Sequence, residues 1–456
     1  MKKQYRIDIS DHLERGTVYF PAELSNHHAP TRISFGTFST QATCYPHPDG
    51  KNTLVLSPDI AEAIKFPSLE MPFHLFIAEK TVHIGPLIGI FTSGFTPFAM
   101  RPIGERSIFF SKLLSVKKFV GALPFVFGEQ HINWEEGTIE GLIYHKNGWE
   151  SIILPFPNVI YDRLPNRRSE KKAALRKVKD RLQSEYLIPW YNPGFFNKLD
   201  VFERLESVDA VSSLLPETHP FTSFSMIERM LSLYGHVYVK PMNGSLGLGI
   251  YQVLYDREQN HYYCRFRDTD GINRLRKFET LESLMKHSFP NHKLNHLIVQ
   301  QGIHLLRHER CPVDFRVHTN KDENGRWKVT AVAAKVAGPG SVTTHVKSGG
   351  CIKTIEEVIE DKEEQKKLLQ KLSEASLLLS HVLENHMEGI VGEIGFDLGV
   401  DREGKVWLFE ANSKPGRSIF KHPDMKEFDL LTRKLSLAFG VFLSEQAIKQ
   451  PGEVFK

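Results

Sequence analysis

Side chains able to do chemistry concentrate at residues 396–416, FDLGVDREGKVWLFEANSKPG. Two short β-rich runs, 396–400 and 405–410, flank the polar turn Asp401-Arg402-Glu403-Gly404, the pattern of a hairpin. Glu410 and Asn412 stand two apart on the second run, so their side chains leave by the same face. Asp397 lies near the turn-distal end of the facing run, within reach of that pair. Two carboxylates and an amide oxygen are hard ligands, suited to a magnesium ion that keeps several waters and takes its remaining oxygens from phosphates. The plainer reading is a solvated hairpin with incidental acids, cored by Phe396, Leu398, Val406 and Leu408.

A second stretch, VYVKPMNGSLGLGI at residues 237–250, ends a strand on Lys240 and continues into Gly244, Gly247 and Gly249. Such glycines let backbone N–H groups close on phosphate oxygens, and Lys240 adds a point charge; a flexible turn is the alternative. The order of parts discriminates. A P-loop places its lysine after the glycines and opens a helix, a kinase carries it on a later strand, and a Rossmann loop also opens a helix. Strand, lysine, glycine loop, strand fits none of these. A third stretch, PVDFRV at 312–317, sets Arg316 on the strand face opposite Phe315. Its guanidinium fork suits phosphate or carboxylate, or else pairs with Asp314 or solvent. Lys335, ending the run 331–336, offers another positive charge, and the long glycine-rich loop 338–350 is able to close over a substrate.

The elements that must hold these residues divide near 189–194, a turn-rich stretch. Before it the chain is mainly strands between turns: Tyr5–Ile9, Thr17–Phe20, 32–38, Thr53–Leu56, 74–84, a hairpin 138–144/149–154 around Asn147-Gly148, and a buried strand 159–163. Helices are expected at 58–66 and 106–119, and a basic helix at 167–186 carries Leu175, Val178, Leu182 and Tyr186 on one stripe. That helix reads as a solvated surface element or as a docking face for an acidic partner. Beyond the boundary the pattern is mixed: helices at 199–207, 223–233, 280–287 and 354–387, and strands at 237–241, 250–255, 262–266, 296–300, 315–318 and Trp327–Val336.

With 456 residues, two or three domains are expected, and 41% hydrophobic and 25% charged residues are ordinary for a folded core. A net charge of +4 over that length calls for neither nucleic acid nor membrane. The start MKKQYRIDISDHLERG has no apolar core of a secretory signal, and the most apolar stretch, 82–100, is broken by Pro86, Pro97 and glycines. Cys44, Cys264, Cys311 and Cys351 form no CxxC pair, as in a reduced cytoplasmic protein without disulfides or zinc.

Lysine loop, arginine strand and Asp…Glu-x-Asn, in that chain order, resemble the ATP-grasp superfamily. The details are most similar to the YheC/YheD-like, endospore coat-associated ATP-grasp proteins of spore-forming bacteria. The carriers are Val159-Ile160-Tyr161-Asp162-Arg163, Phe196-Asn197-Lys198, Leu215-Pro216-Glu217-Thr218, Val239-Lys240-Pro241-Met242-Asn243-Gly244-Ser245-Leu246-Gly247, Gly395-Phe396-Asp397, Phe409-Glu410-Ala411-Asn412 and Pro415-Gly416. They span about residues 159–420, with a looser likeness before them. The resemblance implies an α+β ATP-grasp fold whose two lobes enclose ATP. A strand-rich N-terminal domain (1–155) and a preATP-grasp segment (156–220) would precede the ATP-grasp domain (221–456). Lys240 would contact the α/β-phosphates, and the loop of Gly244, Ser245, Gly247 and Gly249 would cover the β/γ-phosphates. Gln300, Gln301 and Ile303 would occupy the adenine hinge, where a glutamate is common. Arg316, supported by Lys335, would stabilise the transferring phosphoryl group, and Asp397, Glu410 and Asn412 would hold magnesium. Peptide-ligating relatives often have an asparagine four residues before the glycine pair; His345 stands there in this chain.

The implied activity is an ATP- and magnesium-dependent carboxylate–amine ligase working through an acyl phosphate, with small-molecule or peptide substrates. Nothing in that scheme needs a protein nucleophile; positioned cations and loop amides carry the rate. Two alternatives stay open: a spore-coat binding or structural protein that retains ATP binding with little or no catalysis, and phosphotransfer to a hydroxyl. The expected location is the cytoplasm of mother cell or forespore, or the spore coat, with coat proteins as partners and neither nucleic acid nor a membrane span.

Overall fold

The first eighty-five residues close into a barrel, and their connectivity explains how. In the computed structural model, which describes residues 3–24, 30–242, 249–289 and 294–454, eight short strands form one sheet. Its two end strands, Phe38–Gln41 and Thr43–Pro46, are separated only by Ala42. The first pairs with Arg32–Phe35 and the second with Thr17–Phe20, so one continuous run joins the two ends of the sheet. Ile7, Phe20, Ile33, Phe35, Leu54 and Phe73 fill the interior. The expected strand 74–84 is instead a hairpin, Pro72–Ala78 with Thr81–Gly85, reversed where Glu79 takes a left-handed φ of 52°. No Gly, Asn or Pro marks that turn in the sequence. The expected 32–38 ends at Phe35, because Gly36-Thr37 reverses the chain into Phe38–Gln41.

A second sheet sets Leu123–Phe127, Leu87–Phe91, Val159–Asp162 and Trp190–Tyr191 parallel and side by side, and the hairpin Thr138–His145/Gly148–Pro155 extends it. Every residue of Leu87–Phe91 is buried, as a continuous apolar run in a parallel sheet requires. This sheet draws strands from both sides of residue 155, so 87–191 form one layer across the boundary expected there. Leu175, Val178 and Leu182 of the basic helix Ala173–Ser184 pack into its core.

Two further sheets face each other across a cleft. The third runs Thr218–Pro220, Leu297–Gln301, His236–Pro241, Tyr251–Asp256, His261–Arg267, Asn273–Phe278, and is backed by the helices Phe224–Tyr234 and Leu281–Ser288. The strand Asn273–Phe278 (NRLRKF) escaped sequence reading because it is an exposed edge with no apolar alternation. The fourth runs Cys351–Lys353, Trp327–Val336, Cys311–Lys321, Glu393–Val400, Val406–Asn412. Behind it lies the helix Lys362–His386, which starts later than expected because Asp361 caps it, accepting the Glu364 N–H at 2.8 Å. No described helix is long and apolar enough to cross a membrane.

The C-terminal helix Lys426–Lys449 docks the second sheet onto the fourth. It is invisible to a search for amphipathic stripes because it is wrapped on several sides, burying Thr432, Ser436, Leu437, Phe439, Val441 and Ser444. Beneath it Glu393, 1% exposed, receives hydrogen bonds from Tyr161 Oη (2.8 Å), Ser436 Oγ (2.7 Å), Asn320 Nδ2 (3.3 Å) and Arg163 Nη1 (3.2 Å). Glu393→Ala would strand the Arg163 charge in that interior. It is expected to cost on the order of 3–5 kcal/mol, read as a lower urea midpoint for the loss of the near-ultraviolet signal of the stacked Tyr161–Tyr191 pair.

Candidate functional site

The third and fourth sheets turn polar faces toward each other because both bury their other faces against helices. Between them lies a cavity of about 340 Å³, lined among others by Lys240, Gln300, Ile303, Lys335, Asp397 and Glu410. On His236–Pro241 strand alternation sends Val237 and Val239 into the core and His236, Tyr238 and Lys240 to the cleft. Lys240 Nζ donates to Gln300 Oε1 at 2.8 Å. Burial pushes its ammonium down to about 7, with Lys198 adding to the effect and Glu410 opposing it. Gly249 closes the loop with a left-handed φ of 71°, its Cα packed so that a Cβ would stand 3.1 Å from the Pro241 ring. Gly244, Ser245 and Gly247 lie outside the described residues.

Both glutamines expected at an adenine hinge face protein partners. Gln300 Nε2 donates to Thr218 Oγ1 at 2.9 Å, its Oε1 takes Lys240, and Gln301 Oε1 accepts the Glu217 N–H at 3.1 Å. Ile303 lines the cavity. Sequence reading missed a row that the ladder register assembles: Thr218, Gln300, Tyr238, Gln252 and Arg265 stand opposite one another across five strands. Gln252 Nε2 donates to Tyr238 Oη and Arg265 Nη1 to Gln252 Oε1, both at 3.4 Å. The period-two pattern in HVYVKP and HYYCRFR was the available signal.

The fourth sheet supplies the charges. On Cys311–Lys321, Val313, Phe315 and Val317 face the core, while Asp314 and Arg316 share the cleft side. Register sets Arg316 opposite Asp397 and Asp314 opposite Lys335. The Arg316 fork holds Asp397 through Nε (2.9 Å) and Nη2 (3.0 Å). Lys335 Nζ reaches Asp397 Oδ1 at 2.7 Å and Asp314 Oδ1 at 2.8 Å. Burial pushes the Asp397 carboxyl up, but Arg316 and Lys335 pull it well below the usual carboxylate range. Burial raises Asp314, and Asp397 adds to that against Lys335.

Glu410 stands directly opposite Asp397 in the hairpin ladder, and Asn412 follows opposite Gly395. Glu410 Oε1 lies 3.4 Å from Lys198 Nζ. Among the described residues no three His, Cys, Asp or Glu side chains are grouped to hold a metal ion; the hairpin offers two carboxylates, with the Asn412 amide as third donor. The loop 338–350 spans the cleft: Pro339 O accepts from Asn273 Nδ2 at 3.2 Å on the third sheet, and Thr344 Oγ1 donates to Asp314 on the fourth. It is folded tightly on itself, since a Cβ on Gly350 would stand 2.2 Å from Thr344 O. His345 lines the cavity from this loop.

The family model described as YheC/D like ATP-grasp matches residues 187–443. The chain is 42% identical to the endospore coat-associated protein YheD of Bacillus subtilis over 98% of both chains. It is 22% identical to YheC of the same organism over 73% of this chain and 90% of that one. Among solved structures, a D-alanine–D-alanine ligase from Bacillus anthracis complexed with ATP aligns at TM-score 0.44 and 13% identity, covering 81% of this chain and 100% of that one. A D-alanyl-alanine synthetase A from Vibrio cholerae aligns at TM-score 0.42 and 13% identity, covering 78% and 99%.

Two measurements probe these charges. Above about 7 Lys240 is largely neutral, and an anion beside it restores the proton. Pyrophosphate binding at about pH 8, followed calorimetrically in buffers of different ionisation enthalpy, is therefore expected to take up close to one proton. The uptake fades toward about pH 6, where the ammonium is already charged, and is absent in Lys240→Met. Asp397→Asn keeps the shape but leaves Arg316 without its counter-charge. It is expected to destabilise the fold by on the order of 3 kcal/mol, visible as a lower thermal midpoint.

Proposed function

Because the chain belongs to the YheC/D-like ATP-grasp family, we propose that the cleft binds ATP and that the protein is an ATP- and magnesium-dependent carboxylate–amine ligase. One observation carries this reading: Lys240 from one sheet and the Arg316–Asp397–Lys335 cluster from the other converge on a single cavity, beside Glu410. Lys240 would meet the α/β-phosphates, with the loop through Gly244, Ser245, Gly247 and Gly249 closing over the β/γ-phosphates. The backbone of Gln300, Gln301 and Ile303 would take the base, since both glutamine side chains are engaged elsewhere.

A substrate carboxylate oxygen attacks the γ-phosphorus, the bond to the β–γ bridging oxygen breaks, and ADP leaves. Arg316 and Lys335 neutralise the charge that builds on the transferring group. An amine then attacks the acyl carbon, loses a proton, and expels phosphate. Asp397, Glu410 and Asn412 fit magnesium: all three are hard oxygen donors, Asp397 and Glu410 face each other in the ladder, and Asp397 stays ionised. When bound, the ion supplies further charge neutralisation at the phosphate oxygens.

A second reading rests on the curated relative described as endospore coat-associated. It makes this chain a coat-associated binding or structural protein, formed in the cytoplasm of a sporulating cell, that keeps ATP binding with little or no catalysis. ADP release from Mg-ATP, with amino acids, short peptides and peptidoglycan precursors added in turn, separates the two. A ligase is stimulated by one pool and loses on the order of a hundredfold or more in rate in Glu410→Gln. ATP binding without turnover for any pool is the result the second reading expects.

A further inference from the structure

The ligase reading leaves the basic helix without a role, although it starts beside the cleft. Lys198 lines the cavity and opens the helix Lys198–Glu206. Two residues earlier, Phe196 O accepts from Arg167 Nη2 at 2.6 Å, and Arg167 opens the short helix Arg167–Glu170. From the hairpin side, Ser413, next to Asn412, takes the Phe196 N–H on its Oγ at 3.2 Å, and Lys414 Nζ binds Glu170 at 2.9 Å and Asp162 at 2.6 Å. The ridge from Arg167 to Ser184 is thus stapled to the residues that directly follow the proposed metal donors.

Its outer face carries Arg168, Lys171, Lys172, Arg176 and Lys177, all exposed and none with an acidic partner among the described residues. Two of the nearby acids are committed inward or along the helix: Glu170 to Lys414, and Glu185 to Arg181 at 2.8 Å. Five exposed cations spread over two short helices and the turn between them, with Asp180 the one exposed acid close to Arg176 and Lys177, leave this surface net positive, and its Arg167 end lies beside Phe196 and Lys198. The aromatic rings beside the ridge are already engaged by the protein, Trp134 under Arg181 at 4.2 Å, Phe195 under Arg167 at 5.7 Å and Tyr186 against Trp134 and Phe156, which disfavours them as platforms for stacking bases.

We propose that this ridge holds an acidic polypeptide, feeding its side-chain carboxylates to the cleft as the acids that ATP activates. The proposal rests on the ligase reading for the fate of the carboxylate, but not for binding itself. A polyacidic chain satisfies both halves of the site at once, because the group that is phosphorylated is also the group the ridge attracts.

The test is fluorescence anisotropy of labelled poly-L-glutamate with the full chain, at low and high salt and without ATP. Binding is expected to weaken steeply with salt. It should fall by about tenfold or more when Lys171, Lys172, Arg176 and Lys177 are all replaced by Gln, and further when all are replaced by Glu. If the glutamate variant fails to fold by circular dichroism, the glutamine variant decides. Where polyglutamate supports ADP release, the glutamine variant should raise its KM about tenfold while leaving kcat and the KM for ATP in place. No binding by the parent chain, or binding by both variants as tight as the parent's, overturns the proposal. So does tighter binding of a single-stranded oligonucleotide of equal charge through the same residues. Loss of the ligase reading would show instead as peptide binding with no ADP release.

Discussion

Four charges on three neighbouring strands, three of them buried and Arg316 partly so, decide how the cleft is built. Arg316, Asp397, Lys335 and Asp314 are brought together by ladder register alone, since each cation stands opposite a carboxylate on the next strand. Taking such groups out of water costs several kcal/mol per ion unless each finds a partner with good geometry; here the arginine fork and the shared lysine provide it. A sheet with this cluster on one face cannot bury that face in a hydrocarbon core. The apolar set Val313, Phe315, Val317, Phe396 and Leu398 must therefore take the other side, under the helix Lys362–His386. The cavity lies at the end of that face that carries the charges; farther along, at Asn320 and Glu393, the C-terminal helix covers the same face.

Holding that face at a fixed distance from the rest of the chain falls to residues before the family's matched region as well as within it. Asn192, in a left-handed conformation, donates through Nδ2 to Glu393 O at 2.8 Å and Ser413 O at 2.6 Å, and accepts the Gly392 N–H at 3.0 Å. One side chain thereby clamps the start of one hairpin strand and the residue just past the end of the other. Tyr161 and Arg163, from the second sheet, reach Glu393 from below while Ser436 of the C-terminal helix closes it from above. The strands that carry Asp397, Glu410 and Asn412 are thus fixed at Glu393 and Ser413 by residues of the second sheet and its flanks, none of which lines the cavity among the described residues.

The sequence was most legible where chemistry and periodicity coincide. Asp397, Glu410, Asn412, Lys240, Arg316 and Lys335 were readable because strand alternation and a turn placed each on a definite face, and all but Asn412 and Arg316 line the same cavity; those two sit on its strands, Arg316 bound to Asp397. Asp314 was read only as a partner for Arg316, whereas it holds Lys335 instead. The period-two pattern put single members of the row from Thr218 to Arg265 on one strand face, but which of them stand opposite one another depends on register, a tertiary fact. The closed barrel was hidden for the same reason: its strands were largely legible, but nothing local tells that Ala42 joins two edges. The C-terminal helix failed for the opposite reason, its burial erasing the stripe by which helices are found.

These observations combine in the charge balance of the cleft. Asp397 is neutralised by Arg316 and Lys335, Glu410 by Lys198, and burial holds Lys240 well below the usual ammonium range. A polyanion entering between the sheets would change every one of these balances at once. Phosphate oxygens would compete with Asp397 for Arg316 and Lys335, and Lys240 would regain its charge. Each cation drawn to phosphate leaves a carboxylate on the hairpin with an unshared oxygen facing the same space. Arrival of negative charge would thus draw on the cations and leave oxygens of the hairpin carboxylates unshared. An apolar cleft could not do this, and a cleft of free charges would not survive burial; pairing the charges with one another before the ligand arrives satisfies both constraints.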